Sequence, residues 1–121
     1  MFNIYMRDIG SVEPTEYLPG DAGLTLGSAA TCAEGRLAKC AAAERPTHIV
    51  LGKQRRDGRF PALRVQPTTQ FQTTSTAAVA APGVQVQLHT DAARVTAAPG
   101  GHFAVEYTQN QVGGVVRGRF V

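Results

Sequence analysis

Three histidines, two cysteines and nine carboxylates are the residues of this chain able to hold a metal, move a proton or attack a carbonyl. Their spacing assembles none of these chemistries. His48, His89 and His102 stand alone, without a ligand partner four residues away, and Cys32 and Cys40 lack the Cys-x2-Cys pairing of structural zinc sites. The carboxylates fall mostly in turns or near the N-terminus, where Asp and Glu serve the local backbone; only Glu106 stands in the body of a strand pattern. No Gly-x-x-x-x-Gly-Lys-Ser/Thr loop cradles a phosphate, and no Gly-x-Ser-x-Gly elbow raises a nucleophile. The expectation is therefore no enzyme, with no catalytic, cofactor-binding or metal residue. If Ala29–Arg45 is a hairpin turning at Glu34-Gly35, Cys32 faces Leu37 and not Cys40. If Arg36–Glu44 is instead a helix stopped by Pro46, an eight-residue spacing on a helix separates the sulfurs by ~12 Å. Either way two free thiols are expected.

Charge is concentrated in one place, Lys53-Gln54-Arg55-Arg56-Asp57-Gly58-Arg59, followed by Phe60. A hairpin tip carrying Lys53, Arg55, Arg56 and Arg59 can meet phosphates or an acidic protein patch, with Phe60 placed for stacking on a base. The bland alternative is a solvated turn whose charges keep a sheet edge from aggregating. Net charge is +3 and the sequence pI near 9.2, with arginine as almost the whole base. Arginine suits bidentate contact with carboxylates, which hints at an acidic partner.

The elements that would position these residues are strands. Val84, Val86 and Leu88 alternate with Gln85, Gln87 and His89, the two-residue period of a half-buried strand. The same test turns Leu63 and Val65 inward and Arg64 and Gln66 outward. It turns Phe103, Val105 and Tyr107 inward, against Ala104 and Glu106. At the C-terminus Val116, Gly118 and Phe120 take one face, Arg117 and Arg119 the other, and the unbroken apolar run from His48 to Leu51 suits a central strand. Asp57-Gly58 predicts a type I′ hairpin turn. Asp91-Ala92-Ala93, Pro99-Gly100-Gly101 and Gly113-Gly114 predict further turns that link the later strands into hairpins, and Thr76–Ala81 reads as one helical turn or a loop. Strands every ~8 to 12 residues predict a mainly β fold: a small antiparallel barrel or tulip-like domain with at most one or two short helices.

A chain of 121 residues holds one core. Apolar residues at 43% and charged ones at 17% make it an ordered globule. Residues 1–23, broken by Pro14, Pro19 and Gly20, read as an extended N-terminal arm before a single β domain over 24–121. Phe2, Ile4, Tyr5 and Tyr17 are its candidate partner-binding residues; the alternative is a strand around Phe2–Met6 paired within the domain. With no ~18-residue apolar window and no signal-peptide pattern, the expected place of synthesis is a reducing cytoplasm, and no membrane is involved.

Several strings resemble small head proteins of tailed phages: Glu34-Gly35-Arg36-Leu37-Ala38, Arg45-Pro46-Thr47-His48-Ile49, Leu88-His89-Thr90-Asp91 leading into Arg94-Val95-Thr96-Ala97, and the terminal Arg117-Gly118-Arg119-Phe120. The resemblance runs from about Leu24 to Val121 and is to capsid decoration, or cement, proteins. It implies a structural virion protein made in the bacterial host. It also implies that the protein binds the major capsid protein on the outer capsid surface as a trimer or dimer and reinforces contacts between subunits. The competing expectation is an OB-like nucleic-acid-binding module using the basic 53–60 hairpin.

Overall fold

The computed structural model describes residues 2–6, 15–19, 36–37, 44–52, 55–89 and 93–121, which form ten strands and no helix. The strands are β1 (Asn3–Met6), β2 (Glu16–Pro19), β3 (Arg36–Leu37), β4 (His48–Val50), β5 (Arg59–Arg64), β6 (Gln70–Thr74), β7 (Gln85–Leu88), β8 (Val95–Pro99), β9 (Phe103–Thr108) and β10 (Val115–Phe120). They pair antiparallel in two sheets, a larger one ordered β1-β6-β10-β9-β7-β8 and a smaller one ordered β2-β5-β4-β3. The mainly β class is that read from the alternation. The closed barrel is not: each sheet ends in two edge strands instead of returning to its first.

Aromatic scarcity explains the core. The chain has five phenylalanines, and every one is buried. Phe2, Phe71, Phe103 and Phe120 pack ring on ring at centroid distances of 5.2–5.7 Å in tilted or edge-on pairs, geometry that suits the ring quadrupole. Val65 and Ile49 of β4 join the same apolar cluster, which ties the two sheets together. Phe60 is buried on β5 beside Ala62 and Leu63. β4 has neighbours on both sides and all three of its residues are buried, as an unbroken apolar run demands.

Both described parts of the N-terminal stretch are strands paired within the chain: β1 is the alternative left by the sequence, a strand around Phe2–Met6, and β2 is a further strand that the arm reading did not contain. Asn3 faces Gln72 and Ile4 faces Phe71; Glu16 to Pro19 run against Ala62 to Arg59. Arg36-Leu37 pairs with Val50 and Ile49, whereas Glu34-Gly35, Cys32 and Cys40 lie outside the described residues. Thr76–Ala81 is a loop, pinned by buried Val79, whose carbonyl accepts the Thr108 hydroxyl.

Three turn and register expectations are corrected. Arg55 N donates to the Arg59 carbonyl and Gly58 N to the Arg55 carbonyl, while the only non-glycine with positive φ among the described residues is Asn110. Asp57 therefore cannot occupy a type I′ position; the loop is a type I turn followed by Gly58 at φ 83° in a bulge. Pro99-Gly100-Gly101 does not close a hairpin, because β7 lies between β8 and β9. Val86 pairs with Pro99 on one side and Phe103 on the other, and the chain crosses it at Gly101, where a Cβ would lie 2.0 Å from the Val86 carbonyl oxygen. Finally, Tyr107 points outward, because the β9–β10 register steps from Tyr107↔Arg117 to Val105↔Gly118. The extra residue, Glu106, reverses the alternation beyond it. The Asp91 turn lies outside the described residues.

Candidate binding face

The solvent side of the larger sheet is built from the outward positions of four adjacent strands. On β10, Val116, Gly118 and Phe120 take the core side, so Arg117 and Arg119 project outward. Arg117 stands directly opposite Gln72 of β6 and Tyr107 of β9. Its Nε donates to Gln72 Oε1 at 2.9 Å. Its guanidinium carbon lies 4.1 Å from the centre of the Tyr5 ring and 4.7 Å from that of Tyr107. The cation is thus held between two rings, each such contact being worth about 0.5–1 kcal/mol at an exposed site. Among the described residues no carboxylate pairs with Arg117.

Its neighbour is satisfied. Arg119 donates from Nε to Glu106 Oε1 at 3.0 Å and from Nη1 to the Thr68 carbonyl at 2.8 Å, and Gln70 Nε2 also reaches Glu106 Oε1.

The smaller sheet carries a different cluster. Glu16 on β2 accepts two bonds from Arg64 on β5, Nε to Oε2 at 3.0 Å and Nη2 to Oε1 at 3.1 Å. His48, opposite Arg64 in register, is buried with Nε2 at 3.2 Å from Glu16 Oε1, an electrostatic contact off the line of a hydrogen bond, and Nδ1 at 2.9 Å from Thr47 Oγ1. Hydrogen bonding to Arg64, and after it the close contact with His48, holds the Glu16 carboxyl below its usual 4.5. Nearby, Arg55 lies over the Tyr17 ring at 4.2 Å and 4.0 Å from Asp57.

The expected partner-binding residues are distributed unevenly. Phe2 is 2% exposed and belongs to the aromatic core, so it cannot meet a partner while β1 is docked. Ile4, Tyr5 and Tyr17 are exposed. Of the basic tip, Lys53 lies outside the described residues, Arg55 is stacked on Tyr17, and Arg56 and Arg59 are exposed. Phe60 is 2% exposed, packed inward from β5, so base stacking through it is ruled out in the folded chain. Arg117 and Arg119 do not extend that tip, because β10 belongs to the other sheet.

Sequence reasoning missed Tyr107 and the central part of Arg117. One signal was present: a glycine inside a strand pattern, Gly118, marks the place where a neighbouring strand bulges. Elsewhere on the larger sheet, a cleft of about 290 Å³ is lined by Ala78 to Ala81, Val84 to Val86, Ala97 and Pro99. It holds no titratable group, and among the described residues no three His, Cys, Asp or Glu side chains gather. No helix among the described residues is long and apolar enough to cross a membrane.

Fold and site together define a two-sheet antiparallel β domain with an arginine-centred aromatic face. No family model matches the chain, and neither a curated protein nor a solved structure does.

Proposed function

We propose that this protein is a structural binding module that docks on the outer surface of a phage capsid and reinforces contacts between major capsid protein subunits. The observation that carries the reading is the Tyr5–Arg117–Tyr107 stack on the solvent side of the larger sheet. Tyrosine and arginine dominate the energetics of protein interfaces, because each presents a large, partly apolar surface together with a polar tip. The stack is already formed without a partner, which reduces the rearrangement that binding requires. The resemblance of the 34–38, 45–49, 88–97 and 117–120 strings to capsid decoration proteins supports the major capsid protein as the partner. Many copies on a symmetric shell allow a modest individual interface to stabilise the whole; self-association as a trimer or dimer belongs to the same proposal.

Removing the first twenty residues is a poor test, since it takes away Phe2 and two paired strands. The direct test is co-sedimentation of the intact protein with expanded capsids at stoichiometric occupancy. Protein that stays in the supernatant at every concentration refutes the capsid as partner. The nucleic-acid alternative retains exposed Arg56 and Arg59 but lacks a stacking ring at Phe60. It requires a low-salt shift of single-stranded DNA that falls steeply as salt rises.

A further inference from the structure

We infer that Arg117 is a carboxylate receptor: its guanidinium fork receives an Asp or Glu side chain of the partner, at the centre of the face assigned to binding above and resting on that assignment. The argument begins with donors. A guanidinium is always charged and carries five in-plane N–H groups. Among the described residues only the neutral amide oxygen of Gln72 meets a donor of Arg117, at Nε. The rings of Tyr5 and Tyr107 contact the cation at 4.1 and 4.7 Å, and a ring face leaves the in-plane donors on the terminal nitrogens unmatched.

Two other arginines on strands show what such donors can find. Arg64 takes both oxygens of Glu16, and Arg119 takes Glu106 and a backbone carbonyl. Arg117 has the same fork, is fixed in direction by Gln72, and has no acid among the described residues. The flanking rings keep water from part of the cation, so an incoming carboxylate meets a less screened charge. A planar carboxylate matches the fork bidentately. Arg119 is engaged with Glu106, so among the described residues of this face one guanidinium is left to meet a ligand; it neutralises a carboxylate in full and a phosphate dianion only by half.

Two measurements on the full chain separate this inference from the capsid reading. In the first, the Arg117 Nε–Hε resonance is followed by NMR during titration with sodium acetate or inorganic phosphate at matched ionic strength. Acetate is expected to shift it in wild type and not in Tyr5→Leu/Tyr107→Leu, with the remaining amide spectrum reporting that this variant is folded. No shift with acetate, or a shift with phosphate at lower concentration, overturns the inference. In the second, Arg117→Gln and Arg117→Lys are co-sedimented with expanded capsids. Both are expected to bind roughly tenfold more weakly than wild type, the loss of one charge-assisted bidentate pair. Lysine binding as tightly as arginine also overturns it. Wild type that fails to co-sediment overturns the capsid reading and leaves the acetate result to decide the receptor.

Discussion

Arg64 and Arg117 project from strands in different sheets, and each is surrounded by groups that fix its direction. Arg64 is closed: Glu16 takes two of its N–H groups, and the pair lies across β2 and β5, joining an edge strand to its sheet. Arg117 is open: a neutral amide and two rings orient it, and no carboxylate among the described residues neutralises it. The difference separates two uses of one residue type. An arginine that meets its acid within the chain supports the fold; one that meets none among the described residues is the one we propose for a partner. Exposure does not mark the open one, since Arg64 is exposed although paired and Arg117 is only half-buried. Whether an acid among the described residues pairs with it does.

The largest way to break the comparison is Phe2→Ala. Removing a fully packed ring should destabilise the fold by about 3–5 kcal/mol in denaturant titration. It should also loosen β1 and with it Tyr5, so the open face fails through its support. Arg117→Gln should cost roughly tenfold in capsid affinity while moving the denaturant midpoint much less than Phe2→Ala. Equal losses of stability and binding would make Arg117 a fold residue like Arg64.

Glu16→Gln tests the closed side. Glu16 titrates below 4.5 in the folded protein, so its contribution is present above the unfolded value and lost as pH falls through the folded one. The variant should therefore unfold at lower denaturant than wild type at pH 7, with the two curves converging in acid. A difference that persists unchanged below the folded value would mean that the carboxylate charge is not its source. The smallest effect is expected from Tyr107→Phe, which keeps the ring over Arg117: capsid affinity within about twofold of wild type, given that a cation–π contact depends on the ring face.

How much of this was legible follows from which forces are local. Alternation in 85–88 and 115–120 identified real strands, because one buried face imposes a period of two on any half-buried strand; Val84, expected inward, lies before β7 and is exposed. Phe2 and Phe60 were misassigned for a common reason. A ring beside polar or unpatterned residues looks exposed in sequence, yet an aromatic-poor chain draws all five phenylalanines inward. The β7–β8–β9 order escaped because a Pro-Gly-Gly turn suits a crossing as well as a hairpin, and the Gly101 contact with Val86 is made only in three dimensions. Tyr107 was placed on the wrong face by a single extra residue, Glu106. That one residue created the aromatic half of the site which sequence reasoning could not assemble.

The three tyrosines of the chain supply matched probes for the central claim. Tyr5, Tyr17 and Tyr107 are 44%, 46% and 42% exposed, the first and last beside open Arg117 and the second on the smaller sheet. Hydroxyl-radical footprinting of free and capsid-bound protein, read by mass spectrometry, should show Tyr5 and Tyr107 protected on binding and Tyr17 oxidised as before. Protection of Tyr17 with Tyr5 and Tyr107 unchanged would contradict the assignment of the larger sheet as the binding face.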